Sequence, residues 1–237
     1  MSLHNNLCVG VDGAKSGWIG VWRGDGALAF DVYISARRVV DAHLGAEVIA
    51  VDIPIGLADR DGRQADSLAR NFVGGKRASS IFSAPVRGIL DAQSQGEASR
   101  RHREIDNRGF GAQAFAILPK IREWDELLRS DPEARKRVRE IHPEVSFAAL
   151  SGGKGLVESK RTREGGARRR TLLAGVFGDE AVDSLLSRVP RQWAATDDAL
   201  DALVALWSAE RIARGEARTL PDPVVLDSCG LMTAIHY

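Results

Sequence analysis

The chain of 237 residues is long enough for one large domain or two small ones. Hydrophobic residues make up 44% and charged residues 27%, which excludes wholesale disorder, a collagen-like fibre and a polytopic membrane protein. With 33 basic and 32 acidic residues the formal net charge is +1, so any surface that attracts nucleic acid has to be a local one.

The first third of the chain alternates predicted strands with one helix. In chain order we predict strands over 7–11, 18–22 and 27–34, a helix over 35–44 and a strand over 48–51. The first strand stops at Asp12, and the last stops at Asp52 because Pro54 cannot continue a central ladder. Two buried strands therefore each end in an aspartate.

The rest of the chain is predicted to be mainly helical. We predict helices over 64–72, 113–128, 171–177, 179–189 and 196–214, a strand over 138–142 and a hairpin-like tail over 224–237. The polar, arginine-rich residues from about 59 to 139 are interpreted as an enlarged helical insertion in a single domain, 1–237. A glycine-rich basic segment over 154–170 carries seven Lys or Arg against two Glu, a local balance of +5.

The last predicted helix, 196–214, begins with a group of acids. Thr196 is its predicted N-cap, and Asp197 and Asp198 in its first turn complement the helix dipole. Asp201 lies on the same face as Asp198, where like charges destabilise an isolated helix by roughly 0.2–0.5 kcal/mol. A positively charged group is therefore expected nearby.

Each of these aspartates alone has a structural explanation. Its carboxylate can accept hydrogen bonds within a turn, or its negative charge can stabilise the N-terminus of a helix. If the strands that end in Asp12 and Asp52 are parallel neighbours, however, both carboxylates meet at one edge of the sheet, where the helix presents Asp198 and Asp201. Carboxylates crowded in this way raise one another's pKa unless a hard divalent cation lies between them. Oxygen ligands favour Mg²⁺ or Mn²⁺. Two such ions about 4 Å apart would stabilise the attacking and leaving oxygens of phosphodiester cleavage.

The order of these elements resembles the ribonuclease H-like fold, an α/β fold with a mixed sheet flanked by helices. The helix that opens with Asp198 and Asp201 is similar to the terminal helix of RuvC-type Holliday junction resolvases. Seven motifs together resemble the bacterial and archaeal family called domain of unknown function 429 (DUF429), described as predicted ribonuclease H-like nucleases: 10–14, 51–57, 79–87, 113–115, 142–147, 159–162 and 197–202. The resemblance covers residues 9 to about 214 and implies a nuclease acting at the acidic site, without a particular substrate.

Glu144, in the His-Pro-Glu sequence at 142–144, is a candidate fifth catalytic carboxylate and a possible extra metal ligand. It has no counterpart in simple ribonuclease H, so its role is inferred from its chemical character and its position after a predicted strand. His142 in the same sequence could serve as a general base or hold a loop.

Five basic residues are candidate ligands of substrate phosphates: Lys160, Arg161, Arg168, Arg77 and Arg87. The first three belong to the basic segment, where they would attract a nucleic-acid backbone electrostatically. The other two flank a Ser-Ser pair, and planar guanidinium groups bind phosphate through two hydrogen bonds at once. A solvated basic loop and ion pairs with nearby acids are the structural alternatives.

We therefore expect a divalent-metal-dependent nuclease that hydrolyses DNA or RNA, with Asp12, Asp52, Asp198 and Asp201 as ligands of Mg²⁺ or Mn²⁺. Two alternatives stay open. The first is phosphoryl transfer in the actin and sugar-kinase superfamily, whose first strand also ends in Asp-Gly, although this chain has neither the duplicated core nor the second glycine-rich loop. The second is a non-catalytic nucleic-acid-binding or regulatory protein on the same fold.

The apolar stretches and the cysteine count limit where the protein can be located and which disulfide bonds it can form. No apolar stretch reaches the roughly 18 residues of a membrane helix, and the polar residues 1–6, followed by a short apolar run, do not resemble a secretory signal. We therefore expect a cytoplasmic location and no membrane partner. Cys8 and Cys229 cannot build a disulfide framework or a four-cysteine zinc site. The oligomeric state is not predicted.

Overall fold

The computed structural model describes residues 7–237, except for the side chain of Lys76; the segment 1–6, on which the expectation of no secretory signal depends, lies outside the described residues. The strands are β1 Cys8–Ala14, β2 Gly17–Arg23, β3 Leu28–Tyr33, β4 Val48–Asp52, β5 Val138–Ile141, β6 Thr219–Leu220 and β7 Ile235–His236. The helices are α1 Ala36–Ala42, α2 Gln64–Val73, α3 Gln95–Asp106, α4 Ala112–Ser130, α5 Pro132–Arg137, α6 Pro143–Leu150, α7 Arg163–Phe177, α8 Asp179–Arg188 and α9 Thr196–Ala213. Within the described range, no helix has the length and apolar composition that spanning a bilayer requires.

Strand pairing brings the two strand-end aspartates to one edge of a mixed, seven-stranded sheet. The order across the sheet is β3-β2-β1-β4-β5-β7-β6. β1, β4, β5 and β7 pair in parallel, whereas β2 pairs antiparallel with β1 and β3, and β6 with β7. Val11 of β1 is opposite Val51 of β4, so Asp12 and Asp52 follow at the carboxyl ends of adjacent parallel strands. The predicted mixed α/β architecture, with these two strands as neighbours, is confirmed.

The alternation of side chains along β1 decides which face of the sheet the aspartates occupy. Val9 and Val11 pack into an apolar cluster with α1 and α4, whereas Cys8 packs into a second cluster with α7, α8 and α9. The residues of β4 alternate between the same two clusters. Because successive side chains of a strand point to opposite faces, Asp12 and Asp52 lie on the face that α9 covers.

The close approach of α9 to the sheet depends on Gly10 of β1. A Cβ atom at this position would lie 2.0 Å from the backbone nitrogen of Leu206 and 2.1 Å from the carbonyl oxygen of Ala202. The helix is buried continuously from Ala199 to Ala209. The missing side chain at Gly10 therefore lets the helix backbone lie directly on the strand that ends in Asp12.

The described elements between β4 and β5 are α2 to α5 and two 3₁₀ turns, Gly75–Ser80 and Arg87–Ile89, in the region interpreted as an insertion over about 59–139. Two local predictions are wrong. The N-cap of α9 is Ala195, because helical backbone already begins at Thr196. The helix predicted over 171–177 begins earlier, at Arg163 after its N-cap Thr162, and so includes the last part of the basic segment.

The carboxyl-terminal tail completes the sheet. Leu226 and Met232 form a single antiparallel bridge, in agreement with a hairpin-like turn. Beyond it, β7 pairs with both β5 and β6. The tail thus adds β7, which lies beside β5 in the sheet. The predicted hairpin did not include this pairing.

Candidate active site

Four aspartates meet where β1, β4 and the start of α9 come together, and we call them the carboxylate cluster: Asp12, Asp52, Asp198 and Asp201. Asp12 is 7% exposed and Asp201 1%, while Asp52 and Asp198 are partly buried. The charge of Asp52 acts on Asp12, and the charge of Asp201 acts on Asp52. The charges of Asp198 and Asp201 both act on Asp12. The structure therefore brings the four predicted acids into one site.

Burial and mutual repulsion raise the pKa values of these carboxyl groups. Burial is the largest cause for Asp12, Asp52 and Asp201, and the negative charge of neighbouring aspartates adds to it for Asp12 and Asp52. Burial also raises the pKa of Asp198, which a backbone hydrogen bond from Ala195 lowers in part. The cluster consequently holds protons, or another cation, more strongly than exposed aspartates do.

Lys160 provides a positive charge inside the cluster. Its Nζ donates to Oδ2 of Asp201 at 2.6 Å. The other oxygen of that carboxylate, Oδ1, is buried and has no hydrogen-bond partner. Burial alone would lower the pKa of Lys160, but attraction to Asp201, Asp12 and Asp52 raises it above its ordinary value. The sequence predicted a positively charged group near the acids of α9. Lys160, from the basic segment, is that group.

Asp198 has a structural task besides its place in the cluster. Its Oδ2 accepts the backbone N–H of Ala195 at 2.8 Å and so holds the first turn of α9. Lys120 of α4 supplies a second positive charge, which acts on Asp12 and Asp198. Its Nζ donates to the carbonyl oxygens of Ala14 and Gly17 at 3.0 and 2.7 Å. Sequence reasoning missed Lys120, because nothing in the periodicity of α4 distinguishes it from a surface lysine.

Glu144 lies close to the cluster but is paired with an arginine. Its Oε1 accepts from Nη2 of the buried Arg169 at 2.8 Å, while Oε2 is buried without a partner. Its charge acts on Asp201. His142 caps α6, because its Nδ1 accepts the backbone N–H of Glu144 at 3.2 Å, and burial lowers its pKa to about 4. Glu144 is thus positioned beside the cluster, with one of its oxygens engaged.

A cleft of about 500 Å³ opens next to the cluster. It is lined by Asp52, Arg77, Ser79, Ser80, Phe82, Gln113, Ala114, Ile117, His142, Pro143, Glu144, Ser159, Lys160 and Arg161. Three of the five predicted phosphate-binding residues, Arg77, Lys160 and Arg161, belong to this lining. The lining comes from both the basic segment and the region between β4 and β5, so the two face each other across the cleft.

The other two predicted phosphate ligands do not line the cleft. Arg87 donates to Asp125 at 2.7 Å and also pairs with Asp227, so its guanidinium joins α4 to the carboxyl-terminal tail. Arg168 is exposed on α7. The structure therefore divides the predicted basic set into a group at the cleft and two residues elsewhere.

A buried ion network, which the sequence did not indicate, lies next to Asp52. Both terminal nitrogens of Arg63 donate to Glu140 at 2.7 Å, and Arg63 also binds Asp66. The carboxylate of Glu140 also accepts a hydrogen bond from the backbone N–H of Ile55 at 2.7 Å. Burial raises the pKa of Glu140 to about 7, although Arg63 opposes this rise. The network ties α2 to β5 and to the chain that follows β4.

The donor atoms of the cluster suit a hard divalent cation in their chemistry but do not form a ready coordination shell. Carboxylate oxygens are the ligands that Mg²⁺ and Mn²⁺ prefer, and Oδ1 of Asp201 is available. Among the residues that the structure describes, no three His, Cys, Asp or Glu side chains are arranged to hold a metal ion. Metal binding therefore requires the loss of any protons that the raised pKa values keep on these carboxyl groups, together with side-chain movement.

We expect the metal-free protein to lose stability as the pH rises from 6.5 to 8. An acid whose pKa is raised by folding stabilises the fold at low pH, and this contribution is lost as the pH rises through its folded pKa. The carboxylate cluster and Glu140 have raised pKa values, about 7 for Glu140. The partly buried His142 and the buried His236, each with its pKa lowered to about 4, act in the opposite direction. Their opposing effect fades above pH 6.5 and is nearly gone by about pH 7.5, because unfolded histidine, with a pKa near 6.5, then becomes neutral as well.

The measurement is the melting temperature in a chelating buffer at several pH values between 6.5 and 8. Each proton held only by the folded chain contributes about 1.4 kcal/mol per pH unit. Asp12→Asn should reduce the decline, because one of the titrating groups is removed. A melting temperature that rises across this range would contradict the prediction.

Comparison with known proteins identifies the family to which the chain belongs. A family model described as a protein of unknown function (DUF429) matches residues 10–225, a range that includes the whole carboxylate cluster, Glu144 and Lys160. No curated protein and no solved structure matches the chain. Because the match extends over most of the 237 residues, the chain belongs to the DUF429 family, whose function is unknown.

Proposed function

We propose that this protein is a divalent-metal-dependent nuclease, with the carboxylate cluster as its metal site and the adjoining cleft as its substrate site. The observation that carries the proposal is the burial of Asp12 and Asp201, with the partly buried Asp52, at the meeting point of β1, β4 and α9. Burying several acids together is unfavourable, and strongly perturbed carboxyl groups beside a cleft are typical of functional sites.

The topology supports a ribonuclease H-like assignment, which is part of this proposal. An antiparallel hairpin lies beside β1, the parallel neighbour β4 carries the second aspartate, and α9 covers the same face of the sheet. The resemblance itself was inferred from the order of these elements along the chain.

Asp12, Asp52, Asp198 and Asp201 are the residues that would hold Mg²⁺ or Mn²⁺. A bound ion of this kind supplies positive charge to a phosphate and lowers the pKa of water. The chain's own contribution is to bring buried oxygen donors together, to keep Asp198 fixed through its hydrogen bond from Ala195, and to surround them with a basic cleft.

The cleft supports a phosphate-containing substrate. Arg77 and Arg161 both line the cleft, and Arg161 is exposed, so their guanidinium groups are placed to meet phosphate oxygens. Guanidinium groups suit this task because they present several N–H groups in one plane. We expect these two arginines to orient a phosphodiester toward the cluster.

The test compares two neighbouring acids of α9 in a thermal-shift titration with Mn²⁺ and Mg²⁺. Asp198→Asn keeps an oxygen that can accept the N–H of Ala195 and relieves repulsion, so its metal-free melting temperature should be unchanged or slightly higher. The metal-dependent stabilisation, which grows with ion concentration in the wild type, should be lost. Asp197→Asn is the matched control: it removes a first-turn charge worth roughly 0.3–1 kcal/mol but should keep the response to metal.

Cleavage of labelled DNA and RNA oligonucleotides in Mn²⁺ completes the test. Activity should fall by orders of magnitude in Asp12→Asn and Asp198→Asn, and it should persist in Asp197→Asn. No thermal response to millimolar Mn²⁺ or Mg²⁺ in the wild type would refute the metal site and favour a non-catalytic binding protein. A metal response with nucleotide phosphoryl transfer, and without cleavage of nucleic acid, would favour the kinase-like alternative.

A further inference from the structure

Lys160 lies where a cation would bind one side of Asp201. Its Nζ is 2.6 Å from Oδ2 of that carboxylate, and its charge also acts on Asp12, Asp52 and Asp198. A Mg²⁺ ion on the same oxygen would sit about 2.1 Å from it, against an ammonium group of like charge. Oδ2 is therefore closed to a metal ion while Lys160 is in place, whereas Oδ1 is buried without a hydrogen-bond partner and is the oxygen of Asp201 left to bind one.

The backbone that carries Lys160 is held in a fixed turn. The carbonyl oxygen of Ser159 accepts the N–H and the hydroxyl of Thr162 at 3.0 and 2.9 Å, and Thr162 in turn caps α7 by accepting the N–H of Gly165. A Cβ atom on Gly165 would lie 1.9 Å from the carbonyl oxygen of Ser159. The first turn of α7 thus packs directly against this turn, which presents the lysine to the cluster as part of the fold.

We propose that Lys160 is a built-in cation of the carboxylate cluster, so that the site takes one divalent metal ion, where the sequence predicted two. This inference rests on the proposed function. The ammonium group neutralises Asp201 in the position that a second ion would otherwise use. Lys160 then contributes its charge to phosphate oxygens that become more negative during cleavage.

The test counts bound Mn²⁺ by electron paramagnetic resonance and calorimetry in the full-length chain. We expect one ion in the wild type, one in Lys160→Arg, which keeps the charge, and two in Lys160→Met, which opens Oδ2 of Asp201. The metal-free melting temperature of Lys160→Met should fall by about 4 °C or more, and Mn²⁺ should restore it. Lys154→Met is the matched control, because Lys154 is an exposed lysine of the same basic segment that does not line the cleft. It should bind one ion and melt like the wild type.

The possible outcomes separate this inference from the proposed function. Two ions in the wild type, or a single ion in Lys160→Met, would overturn the role of Lys160 and leave a metal-dependent nuclease intact. No bound Mn²⁺ in the wild type would overturn both. If metal-free Lys160→Met does not fold, the count in Lys160→Arg and the recovery of Lys160→Met on refolding with Mn²⁺ still decide between these outcomes.

Discussion

Replacement of Gly10 by alanine is expected to lower the free energy of unfolding by about 3 kcal/mol or more. The added methyl group would lie 2.0 Å from the nitrogen of Leu206 and 2.1 Å from the oxygen of Ala202. Both are backbone atoms of α9, so no change of rotamer relieves the clash. The helix has to move away from β1, and because it carries Asp201, the carboxylate cluster is pulled apart as well. The measurements are urea unfolding and the Mn²⁺ response of the remaining folded protein.

Gly166 provides the matched control for this prediction. It lies inside α7, and a Cβ atom there would meet nothing within 4 Å. Gly166→Ala should therefore stabilise the protein by roughly 0.5–1 kcal/mol, the usual gain from alanine in a helix. A Gly10→Ala variant as stable as the wild type would show that α9 does not lie on β1 as described.

Replacement of Arg63 by methionine is expected to cost about 3–5 kcal/mol, the range for breaking a buried ion pair from one side. Arg63 binds Glu140 through two hydrogen bonds of 2.7 Å, and it also binds Asp66 and the carbonyl oxygen of Ile55. Methionine fills a similar volume but leaves both carboxylates without their counter-charge. Chemical denaturation at pH 8 measures the loss. The loss should be smaller at pH 5, because there Glu140, without its arginine, takes up a proton and becomes neutral.

Two further variants sharpen this experiment. Arg63→Lys keeps the charge but loses the two parallel hydrogen bonds to Glu140, so its stability should lie between those of the wild type and the methionine variant. Arg100→Met removes an exposed arginine whose nearest acid, Glu104, is 3.9 Å away, and it should change stability by less than about 0.5 kcal/mol. Equal effects of Arg63→Met and Arg100→Met would mean that the buried network adds nothing to stability.

The strand-end aspartates could be predicted from the sequence because their signals are local. Asp12 and Asp52 each follow a short apolar run, and alternation along a strand fixes the face on which they lie. Asp198 and Asp201 follow from helical spacing in the same way. The elements that position the cluster therefore appear in the sequence, and the structure brings all four acids together.

The charged partners could not be predicted, because pairing between distant side chains leaves no local pattern. Arg63 and Glu140 are separated by 77 positions and look like surface residues in the sequence. The run 168–170 appeared uniformly basic, but helical rotation points its three members in different directions. Arg168 is exposed, Arg169 is buried against Glu144, and Arg170 pairs with two acids of α8.

The contact between β1 and α9 joins two segments that lie near opposite ends of the chain. Asp12 and Asp201 are roughly 190 positions apart, and contacts between such distant segments require a large loop to close first. A nascent chain that has emerged only as far as α8 has both strand-end aspartates, but one face of its sheet still lacks the helix that covers it and remains exposed to aggregation. Packing of α9 against the sheet buries this surface and at the same time brings Asp201 next to Asp12. A chain that ends before α9 therefore lacks the complete carboxylate cluster.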